Sequence, residues 1–573
     1  HTGVRTFEAA AALRRYGAET ERVRQLFDVS MVEYTTKAML VSEAQMYRGC
    51  AITVSGEVAP EARVAIAQAA NDLLTIQNVE ASFVAVQVGG GVNISARSLG
   101  AVNVQVIMES LGGGGHQTMA AAQLKHITPE AARSRIQTAI DLLVKHHKPL
   151  VAAMDEDFGG RHPGFSLMND VLGSLASLKH ARDHFEPWMA AEKRQPFMPY
   201  DQFGAEAWVQ YQPKGSVGII GTWNAPLFTL FAPLAYALAA GNRAILKPSE
   251  IVPRTARVVA EAVAEMFDPL DVAAVTGGPE MGAAVSAQPF DHLVFTGSTE
   301  VGKAIMRNAS ANLVPVTLEL GGKSPTIIGR SADLATAAFR IAAAKAANAG
   351  QLCVNPDVVY VAREQLEGFV AALKDAFASF FPTVAGNADL TAVVNERHLA
   401  RVEGYLADAV ARGARVESSP AEPVAGRRCP LRIVIDPPAG ARIMEEEIFG
   451  PAVVVQGYDE VGEAIAHING RPRPLALYYF GEDAAEQQRV LDNTLPGGVT
   501  INEAMFHAAM HDAPFGGVGA SGMGHYHGRE GFIEFSHVRT VFKAPAYDPR
   551  REWGMLPPYG EHFLAAMEAQ VTP

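Results

Sequence analysis

Cysteine is scarce in this sequence. The three present in 573 residues, Cys50, Cys353 and Cys429, are too few and too scattered for a disulfide framework or a paired-cysteine metal site. That usage fits a reducing cytoplasm, where the chain is expected to work. Basic residues are also outnumbered, 48 Lys and Arg against 61 Asp and Glu, for a formal charge of −13. A surface built to wrap nucleic acid is therefore not expected. Long apolar runs are missing as well. The longest uncharged stretch, 216–242, is broken by Gly221, Pro226 and Pro233 and contains Asn224, so it reads as buried core rather than a membrane span. The histidines at 146, 147, 525 and 527 have no HExxH pattern, acidic cluster or cysteine pair beside them, and no metal is expected. His146 and His147 are expected on a solvated helix face. No signal-peptide pattern opens the sequence, and with His1 in first place it is expected to begin inside a longer gene product.

What is present is ordinary for a soluble globular protein: 48% hydrophobic and 19% charged residues, with length enough for about three to four domains. The charge is unevenly placed. Residues 1–125 carry 10 Lys/Arg and 11 Asp/Glu, so nearly all the acidic excess lies downstream.

The first 125 residues mix helical and strand patterns. The Ala-rich stretch 6–16 predicts a helix, and 82–88 and 92–96 predict strands joined at Gly89, Gly90 and Gly91. A helix over 103–111 ends at Gly112 to Gly115, a run suited to close backbone approach to a ligand. Thr128-Pro129-Glu130 is a helix start with Thr128 as N-cap, and the domain boundary is placed there. From 217 onward short apolar strands (217–220, 244–246, 272–275, 292–295) alternate with helices (229–240, 254–266), the pattern of a doubly wound parallel sheet.

Within this frame lie residues suited to chemistry. Gly297 to Lys303 nearly spells a P-loop, but the next residue is Ala304, which cannot ligate magnesium; the strand–glycine–helix order better suits backbone amides cradling a dinucleotide pyrophosphate. Cys353 lies in a small-residue segment and is either a buried apolar residue or a nucleophile. Glu319, between two leucines and before paired glycines, is costly to bury without a role and suits a general base of raised pKa. Asn224, before Ala225-Pro226, either forms an Asx-turn or offers an amide donor.

Nine segments, GTWNAPL (221–227), KPSE (247–250), FTGSTEVGK (295–303), LELGGKSP (318–325), GQLCVNPD (350–357), EEIFGP (446–451), RPRPLALYYF (471–480), PFGGVGASGMG (514–524) and PPYG (557–560), resemble the aldehyde dehydrogenase superfamily in order and spacing. DFGGR (157–161) and KHARDHFEPWM (179–189) resemble its class 3 and coniferyl aldehyde dehydrogenase branch. The resemblance covers about 128–573 and implies an α/β aldehyde dehydrogenase fold. Its parts would be a Rossmann-like NAD domain (128–317 and 495–530), an α/β catalytic domain (318–494), and an oligomerisation strand and tail (531–573). It implies Cys353 as nucleophile, Asn224 with the Cys353 amide as oxyanion donors, and Glu319 as the base for thioester hydrolysis. It further places Trp223, Lys247, Ser249, Glu250, Gly297, Ser298, Gly302, Leu320, Gly321, Glu447 and Phe449 around the cofactor, NAD, with NADP as the alternative. Trp223, Phe228 and Phe506 are candidates for lining an aldehyde tunnel. An aromatic, cinnamyl-type or medium-chain aldehyde and a homodimer are implied, the dimer unless the N-terminal module interferes.

RTFEAAAALR (5–14), ISARSLGAVNVQVIMESLGGGGH (94–116) and AAAQL (120–124) resemble the C-terminal accessory region of DHH-family cyclic-di-AMP phosphodiesterases, over nearly all of 1–127. This implies a small α/β substrate-binding module in which Arg97, Gly113, Gly114, Gly115 and His116 are candidate nucleotide contacts. No DHH triplet occurs in the chain, so phosphodiesterase activity is not expected. Two functions follow: a dehydrogenase carrying a passive module, or one regulated by a cyclic-dinucleotide- or nucleic-acid-binding sensor. Residues 134–158 serve both resemblances and leave no linker, which favours the first.

Overall fold

A computed structural model of the chain describes residues 4–15, 30–58, 63–88, 91–109, 111, 113–125 and 129–573. The chain divides into two compact units, His1–Thr128 and Pro129–Pro573.

In the first unit the helix Met31–Ser42 starts at a capping box: Ser30 Oγ accepts from the Glu33 amide at 3.2 Å, and the Glu33 carboxylate accepts from the Ser30 amide at 2.9 Å. Strand Cys50–Glu57 runs parallel to Ala81–Val88, connected through the helix Arg63–Leu73. Gln45–Tyr47, Gly91–Ser98, Met119–Lys125 and Gly114–His116 complete a six-stranded sheet by antiparallel pairing. Alternation along Ala81–Val88 sends Val84, Val86 and Val88 to a core with Leu40, Ile66 and Leu73. Ala81 and Phe83 go to the other face, against Ala96, Val104 and Met108.

The expected hairpin pairs Val88 with Gly91. Its Gly89-Gly90 turn, Gly112 and the expected cap Thr128 lie outside the described residues. The glycine run approaches its own neighbouring strand closely. A Cβ on Gly113 would stand 2.1 Å from the Ala121 carbonyl oxygen, and one on Gly115, at φ +152°, 2.4 Å from Ala120 Cα. Backbone cannot yield as a flexible side chain would, so Gly115→Val is expected to destabilise this unit by about 3 kcal/mol or more. The check is the urea midpoint of the full chain's unfolding transition for this unit.

The second unit opens with the helix Pro129–Phe158, whose buried stripe includes Ile136, Leu143, Leu150 and Met154. Three sheets follow. In the first, Ser216–Ile220 is central: Arg243–Lys247 and then Val272–Ala274 lie on one side, His292–Thr296 and then Val316–Glu319 on the other, all parallel. Gly522–Met523 closes the edge antiparallel. Strand order reverses beside Ser216–Ile220, and such a reversal opens a crevice at the strands' carboxyl ends.

The second sheet has seven strands in the order Arg415–Ser419, Leu431–Ile435, Ala452–Tyr458, Val358–Ala362, Pro325–Ile328, Ala476–Phe480 and Gly498–Ile501, with only the first antiparallel. Two expected boundaries are corrected. Gly498–Ile501 pairs with Ala476–Phe480, so this stretch belongs to the seven-stranded sheet and not to the NAD domain expected from 495. Leu318 and Glu319, expected to open the catalytic domain, finish a strand of the first sheet. A short apolar run shows its period but not its partner. The third sheet is antiparallel, Glu192–Arg194, Glu206–Pro213 and Ser536–Lys543. His146 is not on a solvated face: its Nε2 lies 3.1 Å from Glu265, on the helix Pro253–Met266.

Candidate active site

The crevice collects the sequence motifs because each follows a parallel strand. Ile220 leads into Gly221 to Asn224, Lys247 into Ser249 and Glu250, and Thr296 into Gly297 and Ser298, while Glu319 is the last residue of its strand. Backbone bonds lock these ends together: the Gly221 amide donates to the Lys247 carbonyl and the Gly297 amide to that of Glu319, both at 3.0 Å.

Cys353 arrives from another direction. After the helix Leu334–Ala346 the chain turns through Asn348 and Ala349, both left-handed at φ 51° and 53°. For non-glycine residues that costs on the order of 1–3 kcal/mol each, sustained only where the surroundings dictate it. Gln351 does much of the dictating: fully buried, its side chain donates to the carbonyls of Asn348 (2.9 Å) and Ala392 (3.1 Å) and accepts from the Val394 amide (2.9 Å). Asn224 Nδ2 donates to the Gln351 carbonyl at 3.1 Å, tying the first sheet's loop to the cysteine loop. Its other N–H has no hydrogen-bond partner among the described residues. Thr222 Oγ1 donates to Asn224 Oδ1, so the amide is oriented and no Asx-turn forms. Ser324 donates to the Cys353 carbonyl at 3.3 Å, and the Tyr478 hydroxyl to that of Val354.

Burial, with Glu447 and Glu319 nearby, pushes the Cys353 thiol up to about 12. Glu319 is 2% exposed and neither carboxyl oxygen has a hydrogen-bond partner; burial, then Glu534, holds it well above the usual carboxylate range. Burial, then Asp357, raises Glu447 to about 8. Burial thus disfavours the anion of all three groups, and positive charge brought close to them favours it.

The remaining crevice suits a dinucleotide. Ser298 caps the helix Thr299–Ser310 without a side-chain hydrogen bond, leaving the first amides open to an anion. A Cβ on Gly297 would meet the Phe295 ring at 2.4 Å, one on Gly302 would meet Leu320 at 2.7 Å, and one on Gly321 the Glu447 carboxyl at 2.1 Å. Lys247 Nζ pairs with Glu250 at 2.5 Å, and Ser249 Oγ accepts from the Ile251 amide at 3.3 Å. Trp223 meets Phe449 edge-on at 5.3 Å. Of the tunnel candidates, Phe228 packs on His527, itself fully buried, whereas Phe506 is 64% exposed. Sequence reasoning passed over Gln351, Tyr478 and Ser324; Gln351 stands inside the cysteine segment, whereas Ser324 and Tyr478 lie in the 318–325 and 471–480 segments, far from it in sequence.

In the first unit Arg97 and His116 both pair with Met119 across the sheet. Arg97 is buried, donating to Asn71 Oδ1 at 2.7 Å and to Ser95 Oγ and the Ala96 carbonyl at 3.1 and 2.9 Å; His116 and Gly114 are exposed. Among the described residues no three His, Cys, Asp or Glu are grouped to hold a metal, and no helix is long and apolar enough to cross a membrane.

The model of the aldehyde dehydrogenase family matches residues 117–541. The chain belongs to the aldehyde dehydrogenase family. Aldehyde oxidation is thus its class of reaction. A probable coniferyl aldehyde dehydrogenase from Caulobacter vibrioides is 48% identical over 452 residues, 77% of this chain and 93% of that protein. The coniferyl aldehyde dehydrogenase of Pseudomonas sp. strain HR199 is 45% identical over 75% of this chain and 90% of its own. Among solved structures, substrate-bound Staphylococcus aureus AldH superposes with a TM-score of 0.72 at 33% identity, covering 77% of this aldehyde dehydrogenase and 95% of that chain. Mycobacterium tuberculosis aldehyde dehydrogenase complexed with NAD+ gives 0.66 at 30% identity, over 73% and 86%. The DHHA1 domain model matches residues 59–145, so the accessory module is a real second component. Together these findings favour the dehydrogenase over the sensor reading.

Proposed function

We propose that this aldehyde dehydrogenase oxidises a cinnamyl-type aromatic aldehyde to its acid, with NAD, through a covalent acyl-enzyme on Cys353. The observation that carries this is the union of Asn224 with the Cys353 loop in a buried crevice flanked by Glu319 and Glu447. The Cys353 thiolate attacks the carbonyl carbon, and the oxyanion takes hydrogen bonds from the free Asn224 N–H and the Cys353 amide. NAD, when bound, accepts the hydride. Collapse of the tetrahedral adduct leaves a thioester, Glu319 takes a proton from water, and the resulting hydroxide displaces Cys353 as thiolate, releasing the acid.

The open helix start at Ser298 fits a pyrophosphate, and Glu447 and Phe449 fit the nicotinamide ribose. Burial alone would raise Glu250, but its bond to Lys247 and the charges of Lys247 and Arg397 bring it below the usual range. An ionised Glu250 repels a 2′-phosphate, which supports NAD over NADP. Relatives named for coniferyl aldehyde support the aromatic class over medium-chain aldehydes. The exposed strand Ser536–Lys543 at a sheet edge suits pairing with a second copy, and three unbonded cysteines suit a reducing compartment.

The test is NAD(P) reduction with cinnamyl and aliphatic aldehydes, comparing kcat/KM for each aldehyde and for NAD against NADP. The highest values with a cinnamyl aldehyde and NAD are expected; an NADP preference or an aliphatic optimum overturns that part. Asn224→Ala should lower kcat by on the order of 100- to 1000-fold, the cost of one oxyanion donor, at unchanged NAD affinity.

A further inference from the structure

Two buried charges beside the Asn224 loop take no part in these steps. Arg161 Nη2 and Asp170 Oδ2 pair at 2.7 Å with both side chains fully buried. Such a pair offsets its desolvation only where its remaining polar atoms are answered; the Asn224 loop answers Asp170 Oδ1 and Arg161 Nη2, while Arg161 Nε has no partner among the described residues. Asp170 Oδ1 accepts the Leu227 amide at 3.1 Å. Arg161 Nη2 lies 3.5 Å from the Asn224 carbonyl oxygen, which also receives the Asn348 side-chain amide at 3.1 Å. The guanidinium is held over the rings of Phe158 and Phe165 at 4.9 and 5.0 Å, with Nη1 3.3 Å from the Met154 sulfur. Asp170 comes from the π-helical turn Leu167–Leu172, an irregularity common at functional sites. The segment from Asn224 to Leu227 is thus gripped at both ends, at the carbonyl of the first residue and the amide of the last.

We propose that Arg161 and Asp170 are positioning residues that fix this segment and so aim the Asn224 side chain at the reacting oxygen. The inference rests on the role given to Asn224 above. One Asn224 N–H is committed to Gln351, so a shift of the backbone misdirects the other. Misplacement of a catalytic donor by about 1 Å can cost on the order of 100-fold.

The experiment compares Arg161→Met/Asp170→Leu in the full-length enzyme, with NAD and cinnamaldehyde, in the natural and the Asn224→Ala backgrounds. Apolar replacement of both partners is the change best tolerated by a buried pair. In the natural background kcat/KM for the aldehyde should fall on the order of 10- to 100-fold, with the KM for NAD within about twofold. Arg161→Lys, which keeps the charge, should recover part of the loss. In the Asn224→Ala background the same double change should cost less than about twofold, because the effect travels through the missing side chain. Should the double variant not fold, Arg161→Lys carries the same two-background comparison. Equal losses in both backgrounds, or no loss in the natural one, overturn the proposal while leaving Asn224 in its role. A fully active Asn224→Ala enzyme overturns that role and the proposal together.

Discussion

Cys353→Ala is expected to abolish aldehyde-dependent NAD reduction, lowering turnover by about 10⁴-fold or more while leaving NAD affinity within about twofold. The other cysteine of the second unit, Cys429, is 3% exposed, with its thiol 3.8 Å from the Arg427 carbonyl. The variant keeps Asn224, Glu319 and the dinucleotide crevice, so the cofactor should still bind. Stopped-flow absorbance of NADH measures the loss, and fluorescence titration measures the binding. Residual turnover above about one per cent of the natural enzyme would remove Cys353 from the covalent step.

Glu319→Gln should separate the two halves of the reaction. Acylation draws its thiolate from the positive charge of bound NAD and not from Glu319, so about one NADH per active site should appear and the steady state then stall, about 10²- to 10⁴-fold below the natural rate. The pH dependence follows from a carboxyl held well above its ordinary value of 4.5. Its basic form accumulates as pH rises, so the natural enzyme's thioester hydrolysis should climb with pH well above the ordinary carboxylate range, a climb the Gln variant lacks. Stability carries the opposite sign. Above the unfolded value the folded chain keeps a proton the unfolded chain has released, so the contribution is complete below that value and lost as pH rises through the folded one. Glu319→Gln should therefore stabilise the chain more near pH 9 than near pH 5, read from urea midpoints.

Much of this site was legible because strand-end loops carry chemistry in short local strings. Gly297-Ser298, Lys247 to Glu250 and Glu319 each follow or end an apolar strand, and one topology delivers them to one edge. The Cys353 segment was equally legible. What escaped the sequence depends on partners far along the chain. Arg161 and Asp170 stand nine residues apart, and only folding shows that their common partner is the segment from Asn224 to Leu227. Gly498–Ile501 went to the wrong domain because a four-residue strand does not name its neighbour, and Glu206–Pro213 was passed over because its polar residues hide the central strand of the third sheet. The glycines at 113 and 115 read as a ligand approach, and the structure spends them on a neighbouring strand.

The covalent route is tested most directly by quenching Glu319→Gln after incubation with NAD and cinnamaldehyde and locating the adduct by peptide mass spectrometry. The expected result is the peptide containing Cys353 carrying one cinnamoyl group, with Cys50 and Cys429 unmodified. An unmodified Cys353 alongside released cinnamic acid, or an acyl group on another residue, would contradict it.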